Sequence, residues 1–267
     1  MSIEIIQTSK KTLYMKTKNI FGVLLLFICM FGFANCSDGN EKTEIYHLSF
    51  EKDYYERPIL GAKSIMIRGG NRNYTIKVED PQILEVTVDL SSPTNMGDLK
   101  ILPKQKGETN IEVRDNVTKE VVNLKIKIIN SYLNLAVANP IMSPFKQGDE
   151  FFLINNDDKS CYLYDENLNL KHTGNYKFSI ENNVPYMELT YHKEFEGRTK
   201  YKYDLTGTNQ NMFDGIKYIL NWDWRDFIES STTKEVSPII MNATDTETNT
   251  EYYLVAKGGD IPENVLE

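Results

Sequence analysis

The amino-acid sequence predicts an all-β protein in which a β-sandwich over residues 44–130 is followed by a second antiparallel β domain over 146–267. Three observations predict this class. Apolar and polar side chains alternate with a period of two in several short segments, such as "YTIKVE" at 74–79, which is the pattern of strands with one buried face. Turn-forming residues separate these segments. Tyr and Phe, which favour strands, are frequent in the second half of the chain.

Residues 1–35 have the features of a signal peptide. An uncharged run from Ile20 to Ala34 follows a lysine-containing flank, and it is shorter than the roughly 20 residues that a membrane-spanning helix needs. A complete signal peptide also begins at Met15, so we do not interpret the residues before it.

A cysteine, Cys36, follows this run and precedes a short polar segment. The residues before it, Phe33, Ala34 and Asn35, resemble the lipobox of bacterial lipoproteins, in which a large apolar residue and small residues precede a cysteine that is diacylated and becomes the mature N-terminus. The resemblance implies that a lipid on Cys36 anchors the protein to a membrane. An ordinary secretory signal and an uncleaved anchor are the alternatives.

Residues 36–43 are then the acylated cysteine and a flexible tether, since they are small, polar and poor in apolar side chains. Short acidic tails of this kind resemble the surface-export signals of Bacteroidetes lipoproteins. That resemblance implies an outer-membrane lipoprotein of the cell envelope, with exposure at the cell surface as one option.

The charge and cysteine content exclude some partners. Without residues 1–35, which hold four Lys and one Glu, the net charge is −11. An acidic surface repels nucleic acid and anionic headgroups, so we expect no nucleic-acid partner and an anchor that depends on the lipid. One cysteine, Cys161, remains after Cys36, and its place in "KSCYLYD" predicts a buried or half-buried strand residue.

About seven short strands are predicted in the first domain, and two packed antiparallel sheets would bury their apolar faces. The segments are "YHLSF" (46–50), "SIMI" (64–67), "YTIKVE" (74–79), "LEVTVD" (84–89), "LKILP" (99–103), "TNIEVRD" (109–115) and "VNLKIKI" (122–128).

The same stretch resembles bacterial immunoglobulin-like domains of the group-2 type over roughly residues 44–130. The residues that carry the resemblance are the turn at Asp80 and Pro81, Gly97, and a "G-x-T-x-I-x-V" strand formed by Gly107, Thr109, Ile111 and Val113. The resemblance implies an immunoglobulin-like β-sandwich that acts as a spacer or adhesion module without enzymatic activity.

A stretch with two prolines and weak periodicity, 131–145, is interpreted as the domain junction. The strands predicted after it are those of an antiparallel sandwich or small barrel: "EFFLIN" (150–155), "SCYLYD" (160–165), "YKFSI" (176–180), "VPYMELTY" (184–191), "TKYKYDL" (199–205), "VSPIIM" (236–241) and "EYYLVA" (251–256).

The segment 212–229 fits two periods. One helical stripe would contain Phe213, Ile216, Leu220, Trp224 and Phe227, whereas apolar and polar residues alternate strictly from Ile216 to Trp224. Its aromatic content favours a strand, and a helix remains the alternative.

Sequence motifs of catalysis and cofactor binding are not found. The three histidines lie in no metal-binding pattern, and no nucleophile elbow, phosphate loop or dinucleotide fingerprint occurs. The oxygen-rich stretches 155–158 and 245–249 lack the glycine and distal glutamate of a calcium loop and are interpreted as hairpin tips. We therefore predict no catalytic residue, metal or cofactor, with a cell-surface glycosidase or other hydrolase as the alternative.

The aromatic residues give one hint of function. Exposed Trp and Tyr rings stack on sugars, so Tyr218, Trp222 and Trp224 form a candidate glycan-binding platform if they share one face of a strand. Packing in the core is the competing interpretation. The sequence thus favours a non-enzymatic binding or spacer protein that contacts surface glycan or a partner in an outer-membrane uptake complex, with an adhesive structural subunit as a further alternative.

Overall fold

Two sheets and a closed barrel contain the named strands of the computed structural model, which describes residues 44–93, 96–139, 144–224 and 239–266. The residues from Ile45 onward belong to one compact unit. The mostly β content confirms the all-β prediction. The predicted signal peptide, Cys36 and the tether lie outside the described residues.

The first seven strands form a four-stranded sheet of order β1-β7-β6-β3 and a three-stranded sheet of order β2-β5-β4. Strand β1 is parallel to β7, and the other neighbours are antiparallel. The strands are β1 (Tyr54–Pro58), β2 (Ile65–Met66), β3 (Tyr74–Val78), β4 (Leu84–Asp89), β5 (Asp98–Pro103), β6 (Gly107–Asp115) and β7 (Val121–Ile129).

Side-chain alternation in these strands builds the sandwich core. On β6 and β7, Ile111, Val113, Leu124 and Ile126 are all fully buried, while the residues between them face outward or are only partly covered. Burial of each such side chain stabilises the fold by about 1.5–3 kcal/mol. A single cluster of apolar residues from both sheets follows from this pattern.

The first predicted strand is wrong. Residues 46–50 contribute only an isolated bridge between Ser49 and Gly69, and the strand that enters the sheet is β1, eight residues later. Sequence alternation did not reveal β1 because its residues Glu56 and Arg57 are charged yet buried.

Eight consecutive strands form the closed antiparallel barrel, with β15 pairing with β8 to complete it. They are β8 (Tyr132–Val137), β9 (Glu150–Ile154), β10 (Ser160–Tyr164), β11 (Leu170–Glu181), β12 (Val184–Phe195), β13 (Arg198–Asp204), β14 (Ile240–Asp245) and β15 (Glu251–Ala256). Of the two predicted options the structure has the barrel. The predicted junction 131–145 is corrected at β8, which is the first barrel strand and is hydrogen-bonded on both sides.

Helix α1 (Gln210–Leu220) replaces the strand that the sequence favoured. It begins where the Asn209 side chain accepts a hydrogen bond from the Met212 amide, and it ends at Asn221, which adopts a left-handed conformation. Its apolar stripe is buried, including Ile216 and Leu220.

Within the described residues no helix is long and apolar enough to cross a bilayer.

Residues 257–266, here called the C-terminal tail, return from the barrel to the sandwich. Ile261 and Leu266 are buried in a small cluster that also contains Ile129 and Phe152. The Lys127 ammonium on β7 donates a hydrogen bond to the Leu266 carbonyl at 2.8 Å. The tail therefore lies against both the last sandwich strand and the barrel.

Candidate functional site

The three residues of the predicted glycan platform do not share a face. Tyr218 lies on the solvent side of α1, with 64 % of its surface exposed. Trp222 follows the helix and stacks on Phe178 of β11, with ring centroids 5.0 Å apart. Trp224 is buried against Phe213 of α1. The platform depended on a strand at this position, and the structure does not bring the three rings together.

The interior of the barrel is filled with side chains. Phe145, between β8 and β9, contacts an aromatic cluster at one end of the barrel, formed by Phe151, Phe195, Tyr201, Tyr203 and Tyr252. Helix α1 covers the opposite end, where the Ile219 carbonyl accepts hydrogen bonds from Ser131 and Asn155. Eight-stranded barrels either pack their interior or hold one small ligand. The described part of this barrel is of the packed kind, because the space among its core side chains, lined by Phe145, Tyr203 and Tyr252 among others, admits no water molecule.

A cleft with a volume of about 480 Å³ lies where β1, the start of β8 and the C-terminal tail meet. Small-molecule sites have volumes of roughly 300–1,000 Å³. We call it the junction cleft, and its walls include Glu51, Lys52, Tyr55, Glu56, Arg57, Tyr132 and residues 260–263.

Glu56 is the buried acid of the junction cleft, with 7 % of its surface exposed. Its Oε1 accepts hydrogen bonds from the Tyr54 hydroxyl at 2.8 Å and from the Asn264 amide at 3.2 Å, and the Lys127 ammonium lies 3.8 Å away. Burial and the hydrogen bond to Glu56 raise the pKa of Tyr54, so this phenol stays a donor. The other oxygen, Oε2, is buried without a hydrogen-bond partner among the described residues.

Arg57 and Tyr132 bring hydrogen-bond donors to the wall of the same cleft. The Arg57 guanidinium is held by the carbonyls of Lys63 and Glu56, at 2.9 and 2.8 Å, and lies over the Tyr55 ring. The Tyr132 hydroxyl accepts a hydrogen bond from the Ile261 amide at 3.3 Å. Burial raises the pKa of Tyr132 to about 12, so its phenol is protonated at neutral pH and can donate.

The other acids of the junction cleft are neutralised by basic partners. The carboxylate–nitrogen distances are 2.6 Å for Glu51 with Arg68, 2.9 Å for Asp260 with Lys63 and 2.7 Å for Glu263 with Lys52. The wall of the cleft therefore carries paired charges.

A second pocket of about 260 Å³ adjoins the junction cleft and shares Tyr132 and Asp260 with it. Its walls also contain Asn134 and the turn residues Gly258 and Gly259. Asn134 is 3 % exposed, and its Oδ1 is buried without a hydrogen-bond partner among the described residues. Both cavities therefore have a buried acceptor oxygen that no described protein group satisfies.

Two other positions considered in the sequence analysis, Cys161 and Asp245, are buried in the fold. Cys161 is fully buried, as predicted, and burial raises the pKa of its thiol to about 12. Asp245 is a buried turn residue that accepts hydrogen bonds from the amides of Glu247 and Thr248. Cys36, the candidate lipidation site, lies outside the described residues.

The sequence did not point to the junction cleft. Glu56 and Arg57 lie in the short segment "YYERP", and Tyr132 and Asn134 lie in the predicted junction. The available signal was two adjacent charged residues between tyrosines and a proline, which fits neither an exposed turn nor an alternating strand.

Comparisons with known proteins give little further information. No family model and no curated protein matches the chain. Of solved structures, surface layer protein SbsC, domains 4–9, is 12 % identical with a TM-score of 0.27, over 80 % of this chain and 31 % of that one. SbsC domains 5–6 are 11 % identical with a TM-score of 0.27, over 81 % of this chain and 99 % of that one. The chain spans about a third of the first structure's length, and similarity this weak supports no inference about function.

Proposed function

We propose that this protein is a non-enzymatic binding protein of the cell envelope, held there by a lipid on Cys36, and that it binds a surface glycan in the junction cleft. The observation that carries the binding site is the Glu56 Oε2 atom. A buried carboxylate oxygen without a partner is costly, and Glu56, the residue that carries it, lines a cleft of about 480 Å³. A donor from a ligand would offset that cost.

A neutral glycan suits the groups around this atom. Each sugar hydroxyl is both a donor and an acceptor, so neighbouring hydroxyls can donate to Glu56 and accept from Tyr132 or Arg57. The partly exposed Tyr132 ring offers apolar surface for the C–H groups of a sugar ring. The paired charges of the cleft wall favour an uncharged ligand, since an ionic one would have to compete with existing ion pairs.

The charge pairing also supports binding rather than hydrolysis. Glycosidases use two carboxyl groups, about 5–5.5 or 6.5–9.5 Å apart, that both act on the scissile bond. In the junction cleft Glu51, Asp260 and Glu263 are exposed and each pairs with a basic side chain, whereas Glu56 is the described cleft acid with a buried oxygen that has no partner.

The envelope location rests on the sequence around Cys36. Acyl chains contribute about 0.8 kcal/mol per buried methylene, so two or three chains would hold the protein on a membrane. In the native host, the full-length chain should incorporate labelled palmitate and partition into detergent phase, and Cys36→Ser should lose both properties. Secretion of unlabelled wild-type protein would contradict the anchor.

The binding site is tested by glycan-array screening and calorimetry with a form that starts at Ser37, which keeps the whole compact unit. Glu56→Gln keeps the size of the side chain but removes its charge. A hydrogen bond to a charged group is worth about 1.5–3 kcal/mol, so we expect binding to weaken by about 10–100-fold.

Glu51→Gln is the matched control, because Glu51 lines the same cleft but is exposed and pairs with Arg68. Its affinity should stay within about twofold of wild type, since exposed ion pairs are weak. Thermal midpoints of both variants show whether the fold is intact. Failure of wild type to bind any glycan, or equal binding by the folded Glu56→Gln variant, would overturn the proposal.

A further inference from the structure

The second pocket has an acceptor whose direction is fixed by its neighbours. The Asn134 Nδ2 group donates to Glu150 Oε2 at 3.0 Å, and the Lys257 ammonium donates to Glu150 Oε1. Because a carboxylate only accepts, this contact assigns nitrogen to the side of the Asn134 amide that faces Glu150. The other atom of the Asn134 amide is then the oxygen Oδ1, which is buried and has no partner among the described residues.

The backbone of the C-terminal tail passes very close to this amide. A Cβ atom at Gly259 would lie 2.6 Å from Asn134 Nδ2, whereas one at Gly258 would have nothing within 4 Å. In addition, the backbone N–H of Lys257 donates a hydrogen bond to the backbone carbonyl of Asn134 at 2.9 Å. The absence of a side chain at Gly259 is what lets Asn134 keep its position in the pocket wall.

We infer that the second pocket is a second sugar subsite, with Asn134 Oδ1 as its recognition atom, and that the protein selects neutral oligosaccharides of two or more units over monosaccharides. This inference rests on the proposed function of the junction cleft. The two cavities adjoin at Tyr132 and Asp260, and each is lined by one residue, Glu56 or Asn134, that has a buried acceptor oxygen without a partner among the described residues. A ligand that satisfies both acceptors must extend past Tyr132.

The test compares ligand lengths on two neighbouring glycine variants. Probes are glucose, galactose and mannose with their di- and trisaccharides, measured by calorimetry on the form starting at Ser37. On wild type the best disaccharide should bind about tenfold more tightly than its monosaccharide, which is near the upper end of what one further neutral hydrogen bond gives. Gly259→Ala displaces the Asn134 amide, so it should reduce this ratio to below about threefold and leave monosaccharide affinity unchanged.

Gly258→Ala is the control, since its methyl group meets open space and should leave the ratio unchanged. Neither glycine has a left-handed φ, so alanine fits the backbone at both positions. Asn134→Ala removes the acceptor directly and should match Gly259→Ala if it folds. An unchanged ratio in Gly259→Ala, or equal losses for mono- and disaccharide, would overturn the second subsite while leaving the junction cleft intact. If no probe binds wild type, the proposed function and this inference both fail.

Discussion

Replacing Arg198 by alanine removes the ion pair that joins β13 to β14. This seam has two paired residue positions, Tyr203 with Asp245 and Asp204 with Thr244. Across it, Arg198 Nη2 lies 2.5 Å from Asp245 Oδ2, and Asp245 is fully buried. The variant would leave a buried carboxylate without its cationic partner.

The cost of this change can be worked from the contacts. Removing one partner of a buried ion pair costs about 3–5 kcal/mol. The amides of Glu247 and Thr248 still donate to Asp245, which favours the lower part of that range. The variant also loses the cation–π contact between the Arg198 guanidinium and the Tyr201 ring, whose centroid is 4.1 Å away. This loss adds roughly 0.5–1 kcal/mol. We expect a total of about 3–5 kcal/mol, or a fall in the thermal midpoint of about 6–20 °C.

The assay is thermal and urea unfolding of Arg198→Ala beside Lys202→Ala. Lys202 is also an ion-paired residue of β13, but its partner Glu181 is half exposed. Loss of this pair and of the contact between the Lys202 ammonium and the Tyr186 ring, 4.3 Å to the centroid, should together cost about 1–2 kcal/mol. The double variant Arg198→Ala with Asp245→Asn should be more stable than Arg198→Ala, because a neutral amide is cheaper to bury than an unpaired carboxylate. Equal midpoints for Arg198→Ala and Lys202→Ala would refute the reasoning.

The stability that the Arg198–Asp245 pair gives depends on pH. Burial opposes ionisation of Asp245, but the hydrogen bonds from Arg198 and from the turn amides outweigh it and lower the pKa of Asp245 below its usual value. A lowered pKa in the folded state gives stability that is present above about pH 4 and is lost as the pH falls through the folded-state pKa. The acid limb of the stability curve should therefore be flatter in the Arg198→Ala variant.

Three other predictions concern a turn, the histidines and the buried thiol. Lys119 has a φ of 66°, which glycine adopts without strain, so Lys119→Gly should stabilise the protein by about 0.5–1 kcal/mol in urea unfolding; a lower midpoint would contradict this. The ion pair with Glu120 raises the pKa of His47, and burial lowers the pKa of His172. NMR titration should therefore place the two pKa values on opposite sides of about 6.5. Any stability that the His47 ion pair gives is lost as the pH rises through the raised pKa of His47. Cys161, the one cysteine of a form starting at Ser37, should react with a maleimide only after unfolding, and rapid labelling of native protein would contradict its burial.

Period-two alternation was a reliable guide to the strands where one face of a sheet is buried. It located β6 and β7 of the sandwich and β15 of the barrel within one or two residues. It failed at β1, where Glu56 and Arg57 are buried because their polar atoms bond to backbone groups and to the distant C-terminal tail. Burial by such long-range contacts leaves no local pattern.

The segment around α1 shows why periodicity alone was insufficient. Phe213, Ile216 and Leu220 satisfy the helical period, while the alternating period fitted the following residues equally well. The ends decide between them, because Asn209 caps the first turn and Asn221 takes the left-handed conformation that stops the helix. Capping residues at both ends were the usable signal, and aromatic content favoured the wrong element.

The aromatic residues and the cleft residues differ in how well the sequence indicated their roles. The sequence hint to sugar binding came from tryptophan and tyrosine rings, yet the structure uses Tyr201, Tyr203 and Tyr252 to fill a barrel whose one cysteine, Cys161, is free. The candidate site instead uses polar atoms that a stable core would not require. The clearest example is Glu56, which receives a hydrogen bond from the Asn264 amide 208 residues later and still leaves one buried oxygen unpartnered. Core packing alone would favour an apolar residue there, and this buried carboxylate is the observation on which the proposed binding site rests.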